Sequence, residues 1–185
     1  MTVILSASVV ILGALVFLLL GAQVEMYRTI EQLREHSGLI DQSIPIALSR
    51  VGSRPSSVGL PESLDSTVSG VVLLLSDKCS TCRSIAASLD GALPRDLVLV
   101  VEPDQPGEPS DLTTSYQLDP ERTIIDPHRR ISSGLGINTT PVAVVIENGR
   151  LVRASTVPSS RRLHGLLDSV RAFETFEVGG APTRY

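Results

Sequence analysis

Both cysteines of the chain fall in one short stretch, "SDKCSTC" at 76–82, three positions apart. Three chemistries use such a pair: a reactive dithiol, half of a metal site, or two inert thiols in a core. The stretch follows the aliphatic run Val71, Val72, Leu73, Leu74, Leu75 and precedes a segment of helical character, so Cys79 falls where a strand hands over to a helix. Unpaired backbone N–H groups and the helix dipole stabilise an anion there, which acidifies a thiol from about 8.5 into the range of roughly 3.5–7.5. Lys78 adds a positive neighbour, and Asp77 opposes it. Cys82 lies one turn further on, close enough to attack a mixed disulfide at Cys79 and release the product. The spacing predicts a nucleophile, Cys79, and a resolving thiol, Cys82.

The alternatives are weaker. A zinc site needs about four ligands, and the only histidines are His36, His128 and His164, scattered and unpaired, so no metal is expected. A free Cys is often a small hydrophobe, but this pair stands at a strand-to-helix junction rather than in mid-helix. No G-x-S-x-G, no Ser-His-Asp order and no phosphate-binding glycine loop occur, and no cofactor is expected. "DPHRR" at 126–130 reads as a solvated loop ahead of an anion site, and "SSRR" at 159–162 as a helix start. Asn138-Thr139-Thr140 fits a glycosylation sequon beside a proline that becomes important below.

The elements that must position the dithiol follow from apolar patterning. Residues 70–75 form one buried strand, 81–89 a helix and 96–101 a second buried strand; continuous apolar strands separated by helices indicate an α/β sheet covered on both faces. The segment 102–109, with three prolines, is a loop. A short helix at 111–118, capped by Ser110 or Asp111, and a third strand at 122–126 follow. Asn148-Gly149 between 142–146 and 151–157 is a hairpin signal, because both turn positions need φ > 0. A final helix, capped by Ser159 or Ser160, presents Leu163, Leu166, Leu167 and Val170 on one face, and a frayed tail begins near 177.

Composition bounds the rest. The chain has 185 residues, 42% hydrophobic, which allows one domain of ordinary size and a short extra element. Aromatics are 3% of the chain and the net charge is −4, which argues against nucleic acid as a partner. Residues 3–22 are uncharged and, apart from Ser6 and Ser8, apolar, and about 20 such residues cross a hydrocarbon core of about 30 Å. With no Lys or Arg ahead of it, this segment reads as a retained single-pass anchor rather than a cleaved signal. Val24, Tyr27, Ile30 and Leu33 then mark an amphipathic stalk up to Gly38. The resulting organisation is an anchor and juxtamembrane helix at 1–37, a linker at 38–67 with little regular structure, a domain at 68–176 and a tail at 177–185. Arg28 and Arg34 alone lean towards a cytoplasmic C-terminal domain.

The order strand, "CSTC", helix, strand, then "GINTTP", a hairpin around "NGR" and a closing helix resembles the thioredoxin fold over about 68–172. An interval long enough for an extra strand–helix unit between the halves, together with the anchor, resembles membrane-anchored thioredoxin-like proteins of the thiol:disulfide interchange family. The "EQLRE" stalk and late "CSTC" look most like that family's methylamine-utilisation accessory group. The resemblance implies Cys79 and Cys82 as the catalytic pair, and Thr140 and Pro141 as the substrate-binding corner, with Pro141 cis so that the Thr140 backbone meets a bound peptide strand. It also implies disulfide- or dithiol-bearing client proteins or a membrane redox partner, and an extracytoplasmic domain, which outweighs the two arginines. Departures are plain: Lys78 stands where thioredoxin has Trp, Ser80-Thr81 where it has Gly-Pro, and apolar Leu73 near the place of its buried acid. The expected function is a membrane-tethered thiol:disulfide oxidoreductase. The alternative is a thioredoxin-fold binding or assembly subunit of a membrane complex that uses its dithiol little.

Overall fold

The computed structural model describes residues 13, 16–21, 23, 41–89 and 93–179, and the chain divides into two compact units, Met1–Gln42 and Ser43–Tyr185. In the first unit, residues 13, 16–21 and 23 are helical, with apolar side chains turned outward: Val16 is 50% and Phe17 81% exposed. Most of the expected anchor and nearly all of the stalk lie outside the described residues. No helix among the described residues is long and apolar enough to cross a membrane.

The second unit is built on a six-stranded mixed sheet. Its strands are β1 (Pro45–Ile46), β2 (Ser69–Ser76), β3 (Leu97–Glu102), β4 (Thr123–Ile125), β5 (Val142–Glu147) and β6 (Arg150–Thr156), in the order β1-β6-β5-β2-β3-β4. β2, β3 and β4 run parallel, while β5, β6 and β1 are antiparallel to their neighbours. The helices are α1 (Ser80–Leu89), α2 (Asp111–Ser115), α3 (Arg130–Leu135) and α4 (Ser160–Gly179). This mixed sheet with helices fits the expected thioredoxin-like fold.

Side chains alternate between the two faces of each strand, so the continuous aliphatic runs feed two cores at once. Val71, Leu73, Leu75, Leu99 and Val101 share one apolar cluster with Cys82, Ile85 and Ala86 of α1, Leu112 of α2, and Leu163 and Leu167 of α4. Val72, Leu74, Val100, Val142 and Val144 share the other with Ile131 and Leu135 of α3 and with Val58, Leu60 and Leu64.

Those last three residues correct the linker expectation. Residues 43–67 belong to the domain: β1 pairs with β6, and two 3-10 turns, Pro55–Val58 and Glu62–Ser66, carry Val58, Leu60 and Leu64 into the core. Proline and serine content had the look of a spacer, but the spaced aliphatic residues within it cover the sheet. Three further differences are local. α2 stops at Ser115, α4 continues to Gly179 past the expected start of the tail, and α3 was not expected at all. The hairpin is as expected, with φ of 51° at Asn148 and 67° at Gly149.

Candidate active site

The dithiol is set by the junction of β2 and α1. The Cys79 N–H donates to the Ser76 carbonyl at 3.1 Å, and the Cys79 carbonyl accepts from Arg83 N–H at 3.2 Å, so Cys79 is the residue that opens the helix. Its sulfur accepts from the backbone N–H of Cys82 at 3.2 Å, the bond that a capping Ser or Asp side chain makes at an ordinary helix start. Cys79 is half-buried and Cys82 fully buried, and both are free thiols. Burial pushes the Cys82 thiol up to about 12, reinforced by its hydrogen bond with Cys79; the Ser76 backbone and the Thr140 side chain pull in the opposite direction.

The far side of the site comes from the segment before β5. The Thr140–Pro141 peptide is cis, and the Cys79 thiol reaches the Thr140 carbonyl oxygen at 3.6 Å. Thr140 therefore meets Cys79 through its carbonyl, and its side chain is among the groups that pull the Cys82 thiol down. The Pro141 carbonyl accepts from Val157 N–H at 3.0 Å, which ties this corner to the end of β6. All four residues singled out from the sequence, Cys79, Cys82, Thr140 and Pro141, thus meet at one end of the two central strands, where β2 finishes and β5 starts.

What delivers Thr140 there is α3, which sequence reasoning missed. Asp126, 5% exposed, accepts from the N–H groups of Arg130, Ile131 and Ser132 at 2.8, 2.9 and 3.3 Å and so starts the helix. The helix ends at Gly136 (φ 77°), and Ile137 N–H returns to the Ser132 carbonyl at 2.9 Å. Four residues later comes Pro141. "DPHRR" is therefore a helix start, not the solvated loop it resembled. Arg129 pairs with Glu102 at 3.0 Å, and the Ser132 hydroxyl donates to the same buried carboxylate. The available signal was Asp126 ahead of Ile131 and Leu135, four apart on one helix face, masked by Pro127, Gly134 and Gly136.

Two nearby readings change. Lys78 is not an uncompensated charge beside the thiol: its Nζ lies 2.6 Å from Asp104. Asp77, read from the sequence as opposing Lys78, is a buried carboxylate, 7% exposed, while Lys78 pairs with Asp104. Leu73 is fully buried among aliphatic side chains, so no acid occupies that position beneath the dithiol. Among the described residues, no cluster of three His, Cys, Asp or Glu side chains is arranged to hold a metal ion.

No protein-family model matches the chain, and no curated protein sequence matches it. Solved structures do overlay on it. A DsbF homologue from Corynebacterium diphtheriae is 18% identical, with a TM-score of 0.45 over 69% of this chain and 87% of its own. A thioredoxin-like protein from Aeropyrum pernix is 18% identical, with a TM-score of 0.41 over 80% of this chain and 99% of its own. An exposed lipoprotein thioredoxin from Streptococcus pneumoniae is 18% identical, with a TM-score of 0.37 over 62% of this chain and 89% of its own. At these identities and TM-scores the likeness assigns no activity and no partner.

Proposed function

We propose that this chain is a membrane-tethered thiol:disulfide oxidoreductase that exchanges disulfides with client proteins, or with a membrane electron donor, through Cys79 and Cys82. The observation that carries the reading is a pair of free thiols at a helix start, one half-buried and one buried, with the Thr140 carbonyl 3.6 Å from the outer sulfur. In the reductive direction the Cys79 thiolate attacks a client disulfide, forming a mixed disulfide and releasing one client thiolate. Cys82, deprotonated, then attacks the Cys79 sulfur, releases the second client thiolate and leaves a Cys79–Cys82 disulfide; two electrons pass to the client. The oxidative direction is the same sequence reversed. Burial of Cys82 holds it as a thiol until the mixed disulfide forms, which keeps Cys79 as the attacking group.

Tethering rests on the uncharged apolar stretch 3–22 and on the outward-facing apolar side chains at 16–20, which water does not cover favourably. The domain then works on the extracytoplasmic side, where client disulfides persist. The family resemblance adds disulfide-containing subunits of methylamine-utilisation type as one client class. Insulin reduction driven by dithiothreitol tests the activity. Wild type is expected to turn over and Cys79→Ser to lose it; equal rates in the two would overturn the reading in favour of an assembly subunit that uses the fold without its thiols.

A further inference from the structure

Asp77 stands two positions ahead of Cys79, and every acceptor direction of its buried carboxylate is used. Oδ1 accepts from the Ser110 hydroxyl at 2.7 Å and from Leu112 N–H at 3.1 Å. Oδ2 accepts from Asp104 N–H at 3.2 Å and from Asp111 N–H at 3.1 Å. Its own N–H donates to the Glu102 carbonyl at 3.1 Å, and the next residue, Lys78, pairs with Asp104. The stretch 103–110 has no place in the sheet and is rich in proline, so its position depends on these anchor points. A buried carboxylate with four donors is strongly held, because hydrogen bonds to charged groups are roughly twice as strong as neutral ones.

What is held matters for the thiols. Leu112, 1% exposed, belongs to the same buried apolar cluster as Cys82, together with Leu118; Cys79 and Tyr116 pack against that cluster from its border. We propose that Asp77 is a positioning residue for the dithiol: its carboxylate clamps 104–112 to the end of β2, so that Leu112 closes the apolar cluster around Cys82 and keeps the resolving thiol dry. The resolving role itself rests on the oxidoreductase reading, whereas the burial can be measured without any turnover. Neither composition nor spacing pointed to Asp77, because nothing in the sequence near it announces four donors arriving from a loop 27 to 35 positions away.

The experiment uses the full chain in detergent, carrying Cys79→Ser so that Cys82 is the only thiol. Among the described residues Cys79 is the one titratable side chain acting on Cys82, and it is absent in this background; the Ser76 backbone and the Thr140 hydroxyl remain. Alkylation by iodoacetamide is followed from about pH 6 to pH 10, with and without Asp77→Asn. Asn keeps one acceptor oxygen but turns an NH2 either towards the N–H groups of Asp104 and Asp111 or towards the Leu112 N–H and the Ser110 hydroxyl, so at least one backbone donor loses its acceptor. The expected result is about tenfold faster alkylation of Cys82, with a pH profile displaced to lower pH. A fall in thermal stability with an unchanged rate and profile would overturn the proposal and leave Asp77 a structural residue. Ser110→Ala and Leu112→Ala keep the test open where Asp77→Asn does not fold: each is expected to speed alkylation, Leu112→Ala without touching the carboxylate, and unchanged rates in both overturn the clamp. Inactivity of wild type towards insulin, with faster Cys82 alkylation in Asp77→Asn, would sink the oxidoreductase reading and leave the clamp standing.

Discussion

The carbonyl oxygen of Thr140 lies 3.6 Å from the sulfur of Cys79, across 61 positions of sequence. The contact joins the start of β5 to the start of α1, so the outer thiol and the backbone beside it are fixed by two neighbouring antiparallel strands, β2 and β5. A peptide strand lying along Thr140 would place its own sulfur within reach of Cys79 and away from the buried Cys82.

This ordering predicts an asymmetric trapping experiment. Cys82→Ser is expected to accumulate mixed disulfides between Cys79 and client proteins, seen as higher bands on non-reducing gels that vanish with reductant. Cys79→Ser is expected to give none. Equal trapping by both variants would mean that the buried thiol attacks as readily as the outer one.

Thr140 should also act through its side chain. Its hydrogen bond lowers the Cys82 thiol from the level that burial alone would set. Thr140→Val keeps the β-branch and the carbonyl and removes only the hydroxyl. A hydrogen bond of about 1 kcal/mol corresponds to roughly a fivefold change in rate or equilibrium. Release of the client from the mixed disulfide should slow by about that factor at neutral pH, with the first attack by Cys79 unaffected; stopped-flow alkylation quench separates the two steps.

Stability of the reduced protein should fall at high pH. Cys82 titrates at about 12 in the fold, against an ordinary value of 9.0. Below 9.0 both folded and unfolded chains keep this proton, so the stabilisation is fully present. Between 9.0 and about 12 the unfolded chain releases it while the fold still holds it, so unfolding gains ground as pH rises. Melting of the reduced wild type from about pH 8 to pH 11 should therefore decline more steeply than that of Cys82→Ala, which lacks the proton in question.

Two glycines separate conformation from space. Gly149 has φ +67°, and a Cβ there would fall within 2.6 Å of the backbone carbonyl group of Asp65; Gly107 has φ +93° with open space around it. Both substitutions by Ala pay the left-handed conformational penalty of about 1–2 kcal/mol. Gly149→Ala must in addition push the 3-10 turn Glu62–Ser66 off the hairpin, so its melting temperature should drop well below that of Gly107→Ala. Equal losses would show that the turn moves freely.

The parts of this fold that were legible in the sequence are those written in one local pattern. Leu73 and its neighbours announced a doubly covered strand, Asn148-Gly149 a hairpin, and the position of Cys79 a strand-to-helix junction. The rest depends on partners far along the chain. Asp126 is a loop residue until three N–H groups of α3 converge on it, and Asp77 looks like a solvated charge until Ser110 and Leu112 arrive. Val58, Leu60 and Leu64 were hidden by the prolines and serines around them, because single apolar residues between turns have no period to detect. That the two thiols meet Thr140-Pro141 could be anticipated from residue type and order, whereas the buried carboxylates that hold backbone in place could not.

The residues just ahead of the core close a gap that the sheet would otherwise present. β6 is seven residues long and would be an open border. Thr156 N–H instead donates to the Ile44 carbonyl, Pro45–Ile46 pair with Ser155 and Ala154, and Leu151 exchanges hydrogen bonds with Gly52 and Ser53. The opposite border, β4, is only three residues long. A foreign strand therefore finds no long free ladder on either side, and the chain that leads into the domain serves as its guard against fibrous self-association. Trimming the first 53 residues would remove that guard together with the apolar stretch 3–22, and a fragment beginning at residue 43 would keep it.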